Sequence, residues 1–452
     1  MTRLLARHAL LPDGWQRDVL LEWDEGGSLT AVRPAADDAH AARAQWVVPG
    51  MINLHSHAFQ RALAGLTEVA GDTPDSFWSW RELMYRFAQR ITPEQMQTIA
   101  AQLYVECLRH GYTAVCEFHY LQRDPDGALY ADPAETARRV IAAARETGIG
   151  ISMLPVLYAY AGFGEQALRP EQRRFRTDAG DVLRIVAALE NERDAQVEVG
   201  AAPHSLRAAS VAQIRTLIDG LPAARPLHIH IAEQMAEVEQ CLAYAARRPV
   251  QYLMEQLSID ARWCLVHATH LSADECTAIA RSGAVAGLCP TTEANLGDGL
   301  FPLVDFLAQG GRFGVGSDSH VSQSPVEELR WLEYGQRLRH QSRNVAAQPQ
   351  QRRVGDFLWQ AALAGGAQAA GRPLGQLAPG ARADLLVLDA GHPNLAGAAP
   401  EHVLGSLVFS GNDNLVRDVL CGGRWVVRGG RHARQEEIGA RFKAACAALR
   451  SA

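Results

Sequence analysis

The chain has 452 residues, 48% hydrophobic and 21% charged, the balance of a globular protein with a substantial core. A formal charge of −6 gives no footprint for nucleic acid, and no basic run or apolar stretch of about 18 residues points to a membrane. Of 44 basic residues only Lys443 is a lysine, which argues against a P-loop lysine, a Schiff-base lysine in the body of the chain and a carbamylated lysine bridging two metals.

The eight cysteines, scattered from Cys107 to Cys446, form no C-x-x-C pair. Apolar runs near the N-terminus are too short for a signal h-region. Both features predict reduced thiols and a cytoplasmic protein.

Short strands at 19–23, 29–32 and 46–48 open the chain, separated by Gly and Pro turns. A strand over 48–54 follows, then a helical region containing 77–90. Thr92-Pro93-Glu94-Gln95 supplies an N-cap, a first-turn proline and a capping-box glutamine. Met96, Ile99, Leu103, Cys107 and Leu108 continue at helical spacing, and Gly111 marks the stop. A strand at 113–118 comes next. The unit recurs with a helix opened by Asp132-Pro133-Ala134-Glu135 and closed by Gly148, before a strand at 149–157.

Further strands are expected at 197–202, 226–232, 263–268, 284–288 and 313–317. Eight strands alternating with helices predict an α/β fold, a closed parallel (β/α)8 TIM-like barrel. An open doubly wound sheet is disfavoured, because no Gly-x-Gly-x-x-Gly turn follows any strand. The last part returns to strands at 384–388, 415–420 and 424–428. Two β-rich ends too small to bury a face alone predict a discontinuous β-sandwich domain of residues 1–48 and 374–452, around a metal-dependent barrel catalytic domain of residues 49–373.

Histidines and acids recur at strand ends, where barrel active sites are built. In His55-Ser56-His57 both imidazoles point to one side of a strand and can share a metal. His230 ends the fifth strand with Glu233 three residues on, while His228 lies one layer deeper and reads as a packed interior histidine. The sixth strand ends in His267 and the eighth in Gly316-Ser317-Asp318.

This set resembles the amidohydrolase superfamily: the Pro-Gly-Met-Ile-Asn-Leu-His-Ser-His opening, His-Ile-His-Ile-Ala-Glu, Val-His, Gly-Ser-Asp and the 379–387 return follow in its order. The resemblance to its deaminase branch implies one divalent metal on His55, His57, His230 and Asp318, with Glu233, His267 and Asp318 moving protons. Zn2+ is the expected ion, with iron and manganese as alternatives. Zn2+ lowers the pKa of bound water to about 7, giving hydroxide to attack an sp2 carbon that bears a nitrogen leaving group.

The run from His57 to Leu63, Phe77-Trp78-Ser79-Trp80-Arg81, Glu117-Phe118-His119-Tyr120, Pro203-His204-Ser205-Leu206-Arg207 and Cys289-Pro290-Thr291-Thr292-Glu293 resemble the bacterial formimidoylglutamate deiminase family. That resemblance implies hydrolysis of N-formimino-L-glutamate to N-formyl-L-glutamate and ammonia in histidine degradation, by a homodimer. It sets His204 and Arg207 at the substrate, with Gln60, Arg81 and Tyr120 around it. A dicarboxylate substrate calls for guanidinium forks. Trp78 and Trp80 read as packing over the barrel mouth, and His119 as a structural hydrogen-bonding residue. The competing readings are a purine or other ring-amine deaminase, an imidazolonepropionase-like ring-opening hydrolase, and a catalytically dead barrel.

Overall fold

The computed structural model describes residues 2–69 and 77–451, with side chains throughout these except at 77–79. The helix Pro93–His110 begins as its sequence dictates. Thr92 caps the Gln95 amide, the Gln95 side chain returns the bond, and Gly111 closes the helix at φ 103°. The helix Glu135–Thr147 likewise ends on Gly148.

Both chain ends combine in one eight-stranded sheet. Its strands are β1 (Arg3–Leu11), β2 (Gly14–Trp23), β3 (Leu29–Pro34), β4 (Ala42–Pro49), β14 (Leu385–Leu388), β15 (Val416–Cys421), β16 (Arg424–Arg428) and β17 (Arg431–His432), in the order β17-β16-β15-β14-β4-β1-β2-β3. One face gathers Leu4, Val19, Leu21, Val47, Leu385 and Leu420 into a core of its own. The intervening residues Trp46, Val48, Leu386 and Val419 join the main core, as the two-residue period requires. The β-rich reading of the C-terminal part needs correction. It also contains the helices Pro400–Phe409 and Gln435–Ser451, the latter burying Ile438, Ala445, Cys446 and Leu449.

Between the ends, helices alternate with parallel strands β5 (Met51–Ser56), β6 (Tyr112–His119), β7 (Gly150–Leu157), β8 (Val197–Val199), β9 (Ala202–Pro203), β10 (Leu227–Ile231), β11 (Trp263–His267), β12 (Val285–Leu288) and β13 (Arg312–Val315). They form two arcs, β5-β6-β7-β8 with β9 beside β7, and β10-β11-β12-β13, instead of one unbroken closed ladder. Isolated parallel bridges, Ser56 to Asp318 and Ala201 to Leu227, link the arc edges. Asp318 has left strand geometry at φ 46°, which limits pairing at that edge.

Two further boundaries differ from the sequence reading. The strand expected over 48–54 is broken at Gly50, where β4 of the end sheet passes to β5. A Cβ at Gly50 would lie 2.3 Å from the Thr113 side chain, so only glycine fits the crossing. The strand expected over 197–202 is split into β8 and β9. Leu54, Cys264, Val266 and Val285 fill the interior between the arcs. Burial of each large aliphatic side chain contributes about 1.5–3 kcal/mol.

Candidate active site

The C-terminal ends of β5, β10 and β11 and the turn after β13 bring His55, His57, His230, His267 and Asp318 together, all at most 5% exposed. His55 Nε2 lies 3.1 Å from His57 Nε2 and 2.9 Å from His230 Nε2. Asp318 Oδ1 stands 3.4 Å from the first of these nitrogens and 3.3 Å from the second. The Phe118 ring packs under all three imidazoles, with centroids 4.3–5.3 Å away.

Backbone carbonyls fix two of the tautomers. His57 Nδ1 donates to Phe118 O at 2.9 Å, and His230 Nδ1 donates to His204 O at 3.0 Å. Their Nε2 atoms are therefore bare lone pairs, and both face His55 Nε2. One proton on His55 satisfies only one of them, whereas a cation satisfies all three along with the Asp318 carboxylate. The donor set thus fits a divalent metal.

Burial lowers the three imidazoles, His55 to about 3, keeping them neutral ligands at pH 7. Burial alone would raise Asp318, but its hydrogen bond to His55 and the facing imidazoles hold it below the usual carboxylate range.

Asp318 is carried to the cluster by close backbone contact. Its N–H donates to His55 O at 3.0 Å, and its carbonyl accepts from His57 N–H at 3.3 Å. A Cβ at Gly316 would lie 2.7–2.9 Å from the His55 backbone and Cβ, so this approach needs glycine. Ala232, His267, Ala268, Asp318 and His320 all take positive φ around the site, local strain of the kind that gathers at functional centres.

His267 Nε2 is 3.8 Å from Asp318 Oδ2 and 3.6 Å from Glu233 Oε1, and its Nδ1 is 3.3 Å from Glu293 Oε1. Burial opposes its charge, but Glu233, Glu293 and Asp318 prevail and push it up to about 10. Burial raises Glu233, which precedes the helix Met235–Ala245 and is 5% exposed. A metal is also geometrically possible on His55, His230, His267 and Asp318, a set that exchanges His57 for His267.

The cleft above the cluster is lined by every substrate residue expected from the sequence: Gln60, Arg81, Tyr120, His204 and Arg207. Gln60 Nε2 donates to Tyr120 OH at 2.7 Å. His204 Nδ1 meets Ser205 Oγ at 3.2 Å. Arg207 Nη2 is 3.9 Å from Glu233 Oε2, and its Nε is 3.9 Å from Glu237 Oε2. Arg81 lies 5.5 Å from the Tyr85 ring centroid. Trp80 is half-buried, packs on the core and lines the cleft, whereas the role expected of Trp78 lies outside the described side chains. His228 bonds Ala369 O at 2.8 Å and His119 bonds Thr136 Oγ1 at 2.9 Å, as structural residues do.

Sequence reasoning missed several residues here. Tyr85 and Tyr158 line the cleft, and Gln172 Nε2 donates to Tyr158 OH at 2.8 Å and Tyr85 OH at 3.3 Å. Glu117 accepts from Ser56 Oγ, the Ala58 amide and Tyr104 OH, bracing the segment that carries His57. Glu293 stands at the end of a segment noted for its resemblance, a signal that was available.

A family model described as "Amidohydrolase family" matches residues 46–426, and one described as "Formimidoylglutamate deiminase HutF, N-terminal domain" matches residues 1–44. The chain is 55% identical over 444 residues to the formimidoylglutamate deiminase of Pseudomonas aeruginosa, covering 98% of each chain. It superposes on the crystal structure of an amidohydrolase from Brucella melitensis with a TM-score of 0.95, at 44% identity over 99% of this chain and 100% of that one. An adenosine deaminase from Xanthomonas campestris, solved with bound zinc, gives 0.80 at 21% identity over 100% and 98%, a likeness of fold alone.

Proposed function

The chain belongs to the amidohydrolase family, in its formimidoylglutamate deiminase branch, and on that premise we propose how its residues carry out the reaction. The enzyme hydrolyses the amidine C–N bond of N-formimino-L-glutamate, giving N-formyl-L-glutamate and ammonia. The observation that carries this reading is the convergence of the His55, His57 and His230 Nε2 atoms and the Asp318 carboxylate beneath a cleft that holds two arginines.

His55, His57, His230 and Asp318 hold one divalent ion. His57 is preferred to His267 as the fourth ligand, because its Nε2 is 3.3 Å from Asp318 Oδ1 while His267 Nε2 is turned between Glu233 and Asp318 at 3.6 and 3.8 Å. Nitrogen and oxygen donors without thiolate suit Zn2+. When bound, such an ion supplies Lewis acidity that lets water act as a nucleophile near neutral pH.

The residues move the protons. As water adds to the formimino carbon, two protons must pass from its oxygen to the leaving nitrogen, which departs as ammonia. Glu233, a buried carboxyl raised by its surroundings, takes a proton from the oxygen side and gives it to the nitrogen. Asp318 accepts the second proton from the attacking oxygen and passes it on to the departing nitrogen, and His267, charged among its carboxylates, donates a hydrogen bond to that oxygen. Arg207 and Arg81 hold the two substrate carboxylates, with Gln60, Tyr120 and His204 shaping the space between.

Bridges at both arc edges support reading β5 to β13 as one barrel of residues 49–373, and the separate core of the end sheet supports a folded sandwich of residues 1–48 and 374–452. A homodimer and a step in histidine degradation follow from the resemblance. Eight buried free thiols suit a reducing cytoplasm. Among the described residues no helix is long and apolar enough to cross a membrane.

The test is ammonia release from N-formimino-L-glutamate beside guanine and adenosine. Turnover of the first alone is expected. Ammonia from a ring amine alone, or product without ammonia, contradicts the reading.

A further inference from the structure

Close to Glu233 lies a carboxyl that is not among the proposed ligands and does not line the cleft. Asp298 follows the helix Pro290–Leu296 and is 5% exposed. Its backbone N–H donates to Glu293 O at 2.9 Å, and its Oδ1 accepts from the Gln234 side-chain amide. Its Oδ2 is buried with no hydrogen-bond partner among the described residues. One Asp298 oxygen, one Glu233 oxygen and one His267 ring nitrogen lie within 4.8 Å of one another, a span that a single water bridges. Glu293 and Asp318 also act on it, and His270 flanks it across Gly299.

An ionised Asp298 would set a second buried carboxylate against Glu233 and leave Oδ2 unsatisfied. A protonated Asp298 turns that orphan oxygen into a donor, which a single water can relay to the Glu233 carboxylate. Burial and the Glu233 charge outweigh the opposing His267 charge, pushing the Asp298 carboxyl up to about 9.

We infer that Asp298 is a positioning residue for Glu233, a neutral acid that donates its Oδ2 hydrogen through one water to the Glu233 carboxylate and so keeps that carboxylate ionised and oriented toward the reacting atoms. The inference rests on the proton-carrying role proposed for Glu233.

Two substitutions separate the possible states of Asp298. Asp298→Asn keeps a neutral donor and still accepts from Gln234, whereas Asp298→Ala removes the donor. The acid limb of kcat/KM is expected to stay in place in Asp298→Asn, with kcat within about threefold of wild type. In Asp298→Ala it is expected to move up by about one pH unit, with kcat down about tenfold. A limb that moves to lower pH in both variants overturns the inference, since that is the signature of losing an ionised neighbour. A limb that stays in place in Asp298→Ala also overturns it, leaving a structural role only.

Infrared difference spectra give a readout that needs no substrate. A protonated-carboxyl band at about pH 8, present in wild type and absent from Asp298→Asn, supports the inference. Its absence overturns the inference even where turnover stands. Wild-type enzyme that leaves formimino-glutamate unchanged but keeps the band refutes the reaction and retains Asp298 as a protonated neighbour of Glu233.

Discussion

Arg207 Nη2 stands 3.9 Å from Glu233 Oε2, so a residue proposed to hold substrate also acts on the residue proposed to carry the proton. Burial raises Glu233, and the Arg207 charge partly offsets that rise. Removing the charge lets Glu233 rise further, so its base form is lost at a higher pH. Arg207→Ala is expected to raise KM by about 10–100-fold, the worth of one charge-assisted hydrogen-bonding group, and to move the acid limb of kcat/KM upward. Arg207→Lys keeps the charge without the fork, so KM rises while the limb holds. Steady-state kinetics from pH 5 to 9 check both.

Glu233→Gln removes the proton carrier and leaves the proposed ligands untouched. A loss in kcat of about 10²–10⁴-fold is expected, with KM and metal content near wild type. Measuring all three distinguishes this from a folding defect, which would lower metal content as well.

Metal binding is expected to resist acid. Burial lowers His55 to about 3 and lowers His57 and His230 as well. Protons therefore compete less for these nitrogens at pH 5 than for ordinary imidazoles of pKa about 6.5, which would be mostly protonated there. Elemental analysis after dialysis from pH 7 to pH 5 should find the ion retained in wild type and lost in His230→Ala.

Gly316 permits the β5–β13 edge to close on His55. Gly316→Ala forces a Cβ against the His55 backbone, at an expected cost of about 1–3 kcal/mol. Thermal unfolding with and without chelator checks this, and the difference between the two should shrink in the variant as the ligand cluster loosens.

Much of this was legible in the sequence because strand ends and ligands coincide. His55, His57, His230, His267 and Asp318 each follow a recognisable apolar run, and parallel strands turn such runs to one side of the fold. Thr92, Gln95 and Gly111 marked a helix to the residue. The Gly50 break was overlooked although Pro49-Gly50 interrupts the run at 48–54, and the Thr113 contact shows why glycine stands at the change of sheet. The helix Gln435–Ser451 was overlooked although Ile438, Ala445 and Leu449 keep helical spacing. Tyr85, Tyr158 and Asp298 reach the site from separate segments, and no spacing in the chain encodes that meeting.

The most direct test of the account is anomalous diffraction from a crystal of the enzyme, recorded at the absorption edge of its native metal. One peak is predicted, about 2.0–2.2 Å from ring nitrogens of His55, His57 and His230 and an Asp318 oxygen. A peak held instead by His267, Cys289 and Glu293, or by Glu233, His267 and Asp298, or two peaks of equal height, would contradict it.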